Sequence, residues 1–108
     1  MAFEIGWLES ARKELDAEIE YVHNEFGEGS ARRARTKIKE AVDSLDTFPN
    51  LGMRCDGFMY RGNEVRMIHV RQLTIFYSFD EVSLVTILAV WNNYQDPDKI
   101  NKLLHSRQ

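Results

Sequence analysis

With 108 residues, 44% of them hydrophobic and 29% charged, the chain has the composition of one globular domain. A chain of this length buries roughly 65% of its unfolded surface. The single cysteine, Cys55, excludes a disulfide framework and suits a reducing compartment. A net charge of −3 is the wrong sign for a free-standing nucleic-acid binder, which draws its affinity from phosphate contacts. No apolar run approaches the ~18 residues a membrane span needs. The opening MAFEIGWLES has neither the basic nor the apolar region of an export signal, so the expected location is cytoplasmic.

Phe3-Glu4-Ile5-Gly6-Trp7 alternates in the manner of a short half-buried strand. The period then changes. Leu8, Ala11, Leu15, Ile19, Val22 and Phe26 recur at helical steps, so a helix is predicted from about Glu9 to Glu25, stopped by Gly27 and Gly29. Ser30 is a candidate N-cap for a second helix carrying Ala31, Ala34, Ile38, Ala41, Val42, Leu45 and Phe48, which Pro49 ends. The short link makes the pair an antiparallel hairpin. Its first helix is acidic outside the apolar stripe, whereas the second is basic over Arg32, Arg33, Arg35, Lys37 and Lys39. That basic run reads first as a solvated face complementing its neighbour, and second as a docking patch for RNA, DNA or an acidic peptide.

Residues 49–63 hold three glycines and a proline without clear period, and read as a long irregular connection carrying Arg54 and Arg61. Three strand-like runs follow: Val65–Val70, Leu73–Phe79 beyond a turn at Arg71-Gln72, and Ser83–Trp91. The last is apolar on both alternations, as for a strand covered on both faces. Short links make the three an antiparallel meander. Asp96 or Asp98 can cap a final helix bearing Ile100, Leu103 and Leu104. The expected class is α+β: a two-helix N-terminal hairpin packed on a small antiparallel sheet, in the order β-α-α-β-β-β-α, as one domain over residues 1–108. Exposed edges are expected on the first and last strands, and these invite a partner strand.

That order, with Ile19-Glu20-Tyr21-Val22, Phe26-Gly27, Phe48-Pro49, Val65-Arg66-Met67-Ile68-His69-Val70, Ile75-Phe76-Tyr77 and Val85-Thr86-Ile87-Leu88-Ala89-Val90 in these places, resembles the RelE/ParE toxin superfamily. The resemblance implies a growth-arresting toxin neutralised by a cognate antitoxin whose tail wraps it. It implies no cofactor, no metal and no membrane partner, nor sequence-specific DNA binding by this chain alone. One branch cleaves mRNA on the ribosome without a metal; the other poisons DNA gyrase by a protein–protein contact.

Metal-free RNA cleavage needs a base, cations for the crowded phosphorane and an acid for the leaving oxygen. The candidate catalytic residues for that reading are Arg66 and Tyr94. The set looks incomplete, because Ile68 and Thr74 stand where further cations would help, and Asn92 and Asn93 are neutral. A phenol acting as acid also needs cationic neighbours. The acidic balance, the two-helix hairpin and the Asp96-Pro97 exit fit the gyrase-poisoning branch slightly better, although that branch commonly carries basic residues before the exit. An inactive relative that only binds its antitoxin is a third reading. Candidate target- or RNA-binding residues are Arg54, Arg61, Arg71 and Asn93. Each has a plainer alternative. Arg66 can pair with Glu64, His69 can be a satisfied core histidine, and Trp91 can anchor the core. His23, His69, His105 and Cys55 show no metal-ligand spacing, and Cys55 has no recognisable base to activate it.

Overall fold

The structure, a computed structural model, describes residues 2–107. Strand β1 (Glu4–Trp7) leads into helix α1 (Glu9–Phe26), helix α2 (Glu28–Asp43), and single 3-10 turns at Ser44–Asp46 and Pro49–Leu51. Strands β2 (Met53–Tyr60), β3 (Asn63–Val70), β4 (Leu73–Phe79) and β5 (Leu84–Asn92) follow, and helix α3 (Lys99–His105) closes the chain. The α+β class is as expected, with one strand more than the sequence pattern predicted. That strand, β2, lies inside the segment read as irregular. Its burial alternates poorly, and its pairing with β3 slips between Arg54 and Met59, where Gly57 takes φ 89°. An edge strand with a bulge and little buried area leaves no period of two to read.

The sheet order is β1-β5-β4-β3-β2. All neighbours are antiparallel except β1 and β5, which run parallel from Glu4 opposite Leu84 to Trp7 opposite Ile87. The last strand is therefore central rather than an edge; the edges are β1 and β2. This placement accounts for its apolar residues on both alternations. On one face Val85, Ile87 and Val90 join Leu73, Ile75 and Tyr77 under α1 and α2. On the other, Leu88, Ala89 and Trp91 join Val65 and Phe76 under Leu104 of α3. Trp91 is a core residue, as its plainer reading held.

The exchange of faces within β5 has a definite cause. Phe76 pairs with Ala89 and Tyr77 with Ile87, so Leu88 is an extra, bulged residue that re-phases the strand. The bulge also exposes a carbonyl beyond the end of β1. Arg107 Nε donates to Leu88 O at 3.0 Å, and its Nη2 meets Glu14 Oε2 at 2.7 Å. Glu14 Oε1 in turn accepts from the Val90 N–H at 3.1 Å. Side chains from α1 and the C-terminal segment thus complete the ladder where the neighbouring strand stops.

The helical hairpin turns on one residue. Gly27, at φ 92°, is the whole link, and α2 begins at Glu28 rather than after Ser30. Ser30 is no cap; its hydroxyl accepts from Arg33 at 3.1 Å. Ala31 and Ala34 pack with Ile38 and Val42 against the Ala11–Ile19–Val22 stripe of α1, so small side chains set the helix approach. Phe26 lies off this contact and is 67% exposed, contrary to its place in the predicted stripe.

Candidate functional site

The middle of the sheet and its β3–β4 end place the candidate residues in opposite circumstances. In the middle of β3, Arg66 lies opposite Tyr77 on the helix-side face. Its guanidinium donates to Gly52 O at 2.7 Å and Asn50 O at 3.3 Å, lies 3.8 Å from Glu64, and sits over the Phe79 ring. Tyr77 works on the same segment: its hydroxyl donates to Pro49 O at 2.6 Å and accepts from the Gly52 N–H at 2.8 Å. Burial raises the Tyr77 pKa, opposed by the Gly52 hydrogen bond and the Arg66 charge. Both side chains therefore tie the turn at Pro49–Leu51 to the sheet. Gly52 is required there, because a Cβ would stand 2.6 Å from Met67 O and 2.7 Å from the Tyr77 hydroxyl. The Glu64 pairing anticipated for Arg66 is present, but the loop carbonyls are its nearer partners.

Arg54 pairs with Glu64 at 3.1 Å. Arg61 occupies the hairpin tip at φ 49° and lies 5.4 Å from the Tyr60 ring centre. At the next turn Asp80 accepts from the N–H groups of Val82, Ser83 and Leu84, and these bonds hold its pKa below the usual carboxylate range.

Arg71 and Tyr94 occupy the sheet end at the β3–β4 turn. Since Arg66 pairs with Tyr77, Tyr77 with Ile87, and β5 runs on to Asn92, Arg66 and Tyr94 are separated by on the order of 15 Å. They do not converge on one reacting centre. Tyr94 is 87% exposed. Asn93 belongs to a polar chain: Thr74 Oγ1 donates to Asn93 Oδ1 at 2.7 Å and stands 2.9 Å from His69 Nδ1. With the Thr74 proton so placed, His69 is the donor of that second bond. His69 itself is exposed, a correction to its reading as a core histidine. It shares the face of Val65 and Met67 but sits at the strand end, where α3 does not cover it.

Arg71 sits at the β3–β4 turn at φ 58° and makes no side-chain hydrogen bond or ion pair with any described residue. It borders two adjoining grooves. One, of roughly 700 Å³, is walled by Tyr21, Phe26 and Tyr94, with Glu18, Gln72 and Asn92 among its polar groups. The other, of roughly 290 Å³, runs along α2 between Arg32, Arg33, Lys37 and Glu40. Tyr21 and Phe26 were not foreseen as site residues. The available signal was that Tyr21 falls off the apolar stripe and that Phe26 ends its helix beside a glycine.

Among the described residues no three His, Cys, Asp or Glu side chains gather to hold a metal. Burial, followed by the charge of Asp56, pushes the Cys55 thiol pKa up, which disfavours the thiolate a nucleophile needs. No helix among the described residues is long and apolar enough to cross a membrane.

Residues 5–97 match the model of a family described as the ParE toxin of the type II toxin–antitoxin system parDE. The chain belongs to the ParE toxin family. Nine chains of solved structures also match. One of them, from the chromosomal ParDE toxin–antitoxin system of P. aeruginosa, aligns with a TM-score of 0.67 at 20% sequence identity, covering 84% of this chain and 96% of that one. At that identity the likeness speaks for the fold. No curated protein matches. The match places the chain on the ParE-like side of the RelE/ParE superfamily.

Proposed function

We propose that this ParE-family chain is the toxin of a type II toxin–antitoxin module and arrests growth in the cytoplasm by binding DNA gyrase and trapping it on cleaved DNA. A cognate antitoxin holds it in check. The observation that carries the choice of mechanism is the engagement of Arg66. Its guanidinium is committed to the Asn50 and Gly52 carbonyls, and Tyr94 stands at the far end of the sheet. Metal-free cleavage requires cation and acid within reach of the same phosphate, because only charge placed where it develops lowers the barrier. A toxin that acts by contact has no such requirement. For the contact we assign the Arg61 hairpin tip, since Arg61 is exposed and lies over the Tyr60 ring, with Arg54 farther along the same β2 edge.

The test uses purified gyrase, relaxed plasmid DNA and ATP with increasing amounts of the chain, followed by detergent and protease. Linear DNA should accumulate with dose, and Arg61→Glu should diminish it. Supercoiling that proceeds with no linear product at any dose would remove the gyrase reading.

A further inference from the structure

The sheet has two free edges of unequal length. Strand β1 offers four residues and β2 eight. Within β2, residues 55–58 stand opposite Val65 alone, so the ladder to β3 is interrupted there. Three large apolar side chains on or beside this edge, Leu51, Met53 and Met59, are exposed. A long edge flanked by exposed apolar side chains is a template for a further strand.

The charges on the edge indicate which strand fits it. Cys55 packs with the cluster under α3, so its neighbours Arg54 and Asp56 point to the helix-side face by strand alternation. Both are exposed. Arg54 meets Glu64 at 3.1 Å, whereas Asp56 makes no ion pair or side-chain hydrogen bond with a described residue. One cation and one anion, two residues apart on one face, form a self-complementary pair for an antiparallel copy of the same strand.

The register follows from that pair. With Cys55 opposite Cys55 of a second copy, Arg54 faces Asp56 of that copy and Asp56 faces its Arg54. A shift of two residues one way sets Arg54 against Arg54, and the other way Asp56 against Asp56, and like charges directly opposite are destabilising. A shift of one residue sets helix-side positions against α3-side positions. The favoured register also brings exposed Leu51 toward Met59 of the second copy, and Met59 toward its Leu51.

We propose that β2 pairs antiparallel with β2 of a second copy of this chain, joining two five-stranded sheets about a twofold axis at Cys55. The twofold uses the same edge of both copies, so the assembly closes at two. A pairing this short covers less than the ~800 Å² per partner of a standard interface, which makes the dimer weak, with a Kd on the order of tens of micromolar. The inference goes beyond the gyrase reading and does not rest on it. Pairing would cover Arg54, so the two uses of that edge exclude each other.

The first experiment is sedimentation equilibrium of the chain alone, from ~1 µM to ~1 mM. The average mass should rise from 12.6 kDa toward twice that value, and salt should weaken the association. Asp56→Arg and Arg54→Asp should each weaken it roughly tenfold or more. An equimolar mixture of the two variants should associate again, because each then meets the opposite charge on the other. Recovery in the mixture separates lost pairing from lost folding. A monomer at every concentration, a dimer indifferent to Asp56→Arg, or a mixture that stays monomeric overturns the proposal.

The second experiment locates the contact. Opposed Cα atoms of an antiparallel pair lie about 4.5 to 5.5 Å apart, so a short bismaleimide should join Cys55 to Cys55 in wild type and give no dimer in Cys55→Ser. Benzoylphenylalanine placed at Met53 in cells should likewise give a product of two chains. A product with a different protein in its place would assign the edge to that partner and overturn the proposal. Neither experiment involves gyrase, so failure of the dimer and failure of the gyrase mechanism are separable.

Discussion

The middle of the sheet and its β3–β4 end use the same residue types for opposite purposes. Beside Gly52 an arginine and a tyrosine, Arg66 and Tyr77, bond to the chain's own loop and are largely withdrawn from solvent. At the Arg71 end an arginine and a tyrosine, Arg71 and Tyr94, project from turns and have no side-chain hydrogen bond within the fold among the described residues. Residue type alone does not separate a structural tie from a docking group. What separates them is whether the backbone beside them offers acceptors that nothing else satisfies. The Pro49–Leu51 turn does, because its carbonyls have no strand to pair with.

This contrast predicts a graded set of stability effects. Gly52→Ala should be the most damaging, since the new methyl meets a backbone carbonyl and a fixed ring, at a cost of about 3 kcal/mol or more in chemical denaturation. Tyr77→Phe strands the Gly52 N–H and the Pro49 carbonyl, and should cost about 2 kcal/mol. Arg66→Ala removes two carbonyl contacts and the packing on Phe79, for about 1 to 2 kcal/mol, with part of the loss recovered by water at its exposed side. At the β3–β4 end the sign reverses. Arg71→Asn should leave stability unchanged or raise it by up to about 1 kcal/mol, because asparagine tolerates the left-handed backbone. A large loss there would break the comparison by showing that Arg71, too, is a structural tie.

The smallest effect is tuned by pH. The three N–H groups around Asp80 lower its folded pKa, so its contribution is present above the ordinary carboxylate range and is lost as pH falls through the folded value. The melting temperatures of wild type and Asp80→Ala should therefore differ at neutral pH and converge in acid. A gap that persists unchanged at low pH would mean the turn is held by something other than the carboxylate charge.

Much of the fold was legible because apolar spacing reports burial directly. The helical stripe of Ala11, Ile19 and Val22 and the double-faced pattern of β5 each followed from what those residues must cover. Strand β2 was not legible, since an edge with a bulge at Gly57 buries too little to impose alternation. The parallel pairing of β1 with β5 was also hidden, because it joins segments far apart in sequence whose local patterns are unaffected by the choice of partner. At the site, the sequence identified Arg66, Arg71 and Tyr94 by type but could not set Arg66 apart from the other two. That separation depends on register, which is fixed by turn lengths and by the Leu88 bulge. Tyr21 and Phe26 carried only a weak signal, a place off the apolar stripe and a helix end beside glycine, and the structure leaves both rings exposed.

The central claim is that this ParE-family chain acts by contact and leaves RNA intact. It is tested most directly by brief induction in a bacterium, with transcript ends mapped genome-wide within minutes. The account predicts growth arrest with no new ends inside translated codons. Clusters of new codon-internal ends that disappear on replacing Tyr94 would contradict it and would require the separated Arg66 and Tyr94 to act on RNA after all.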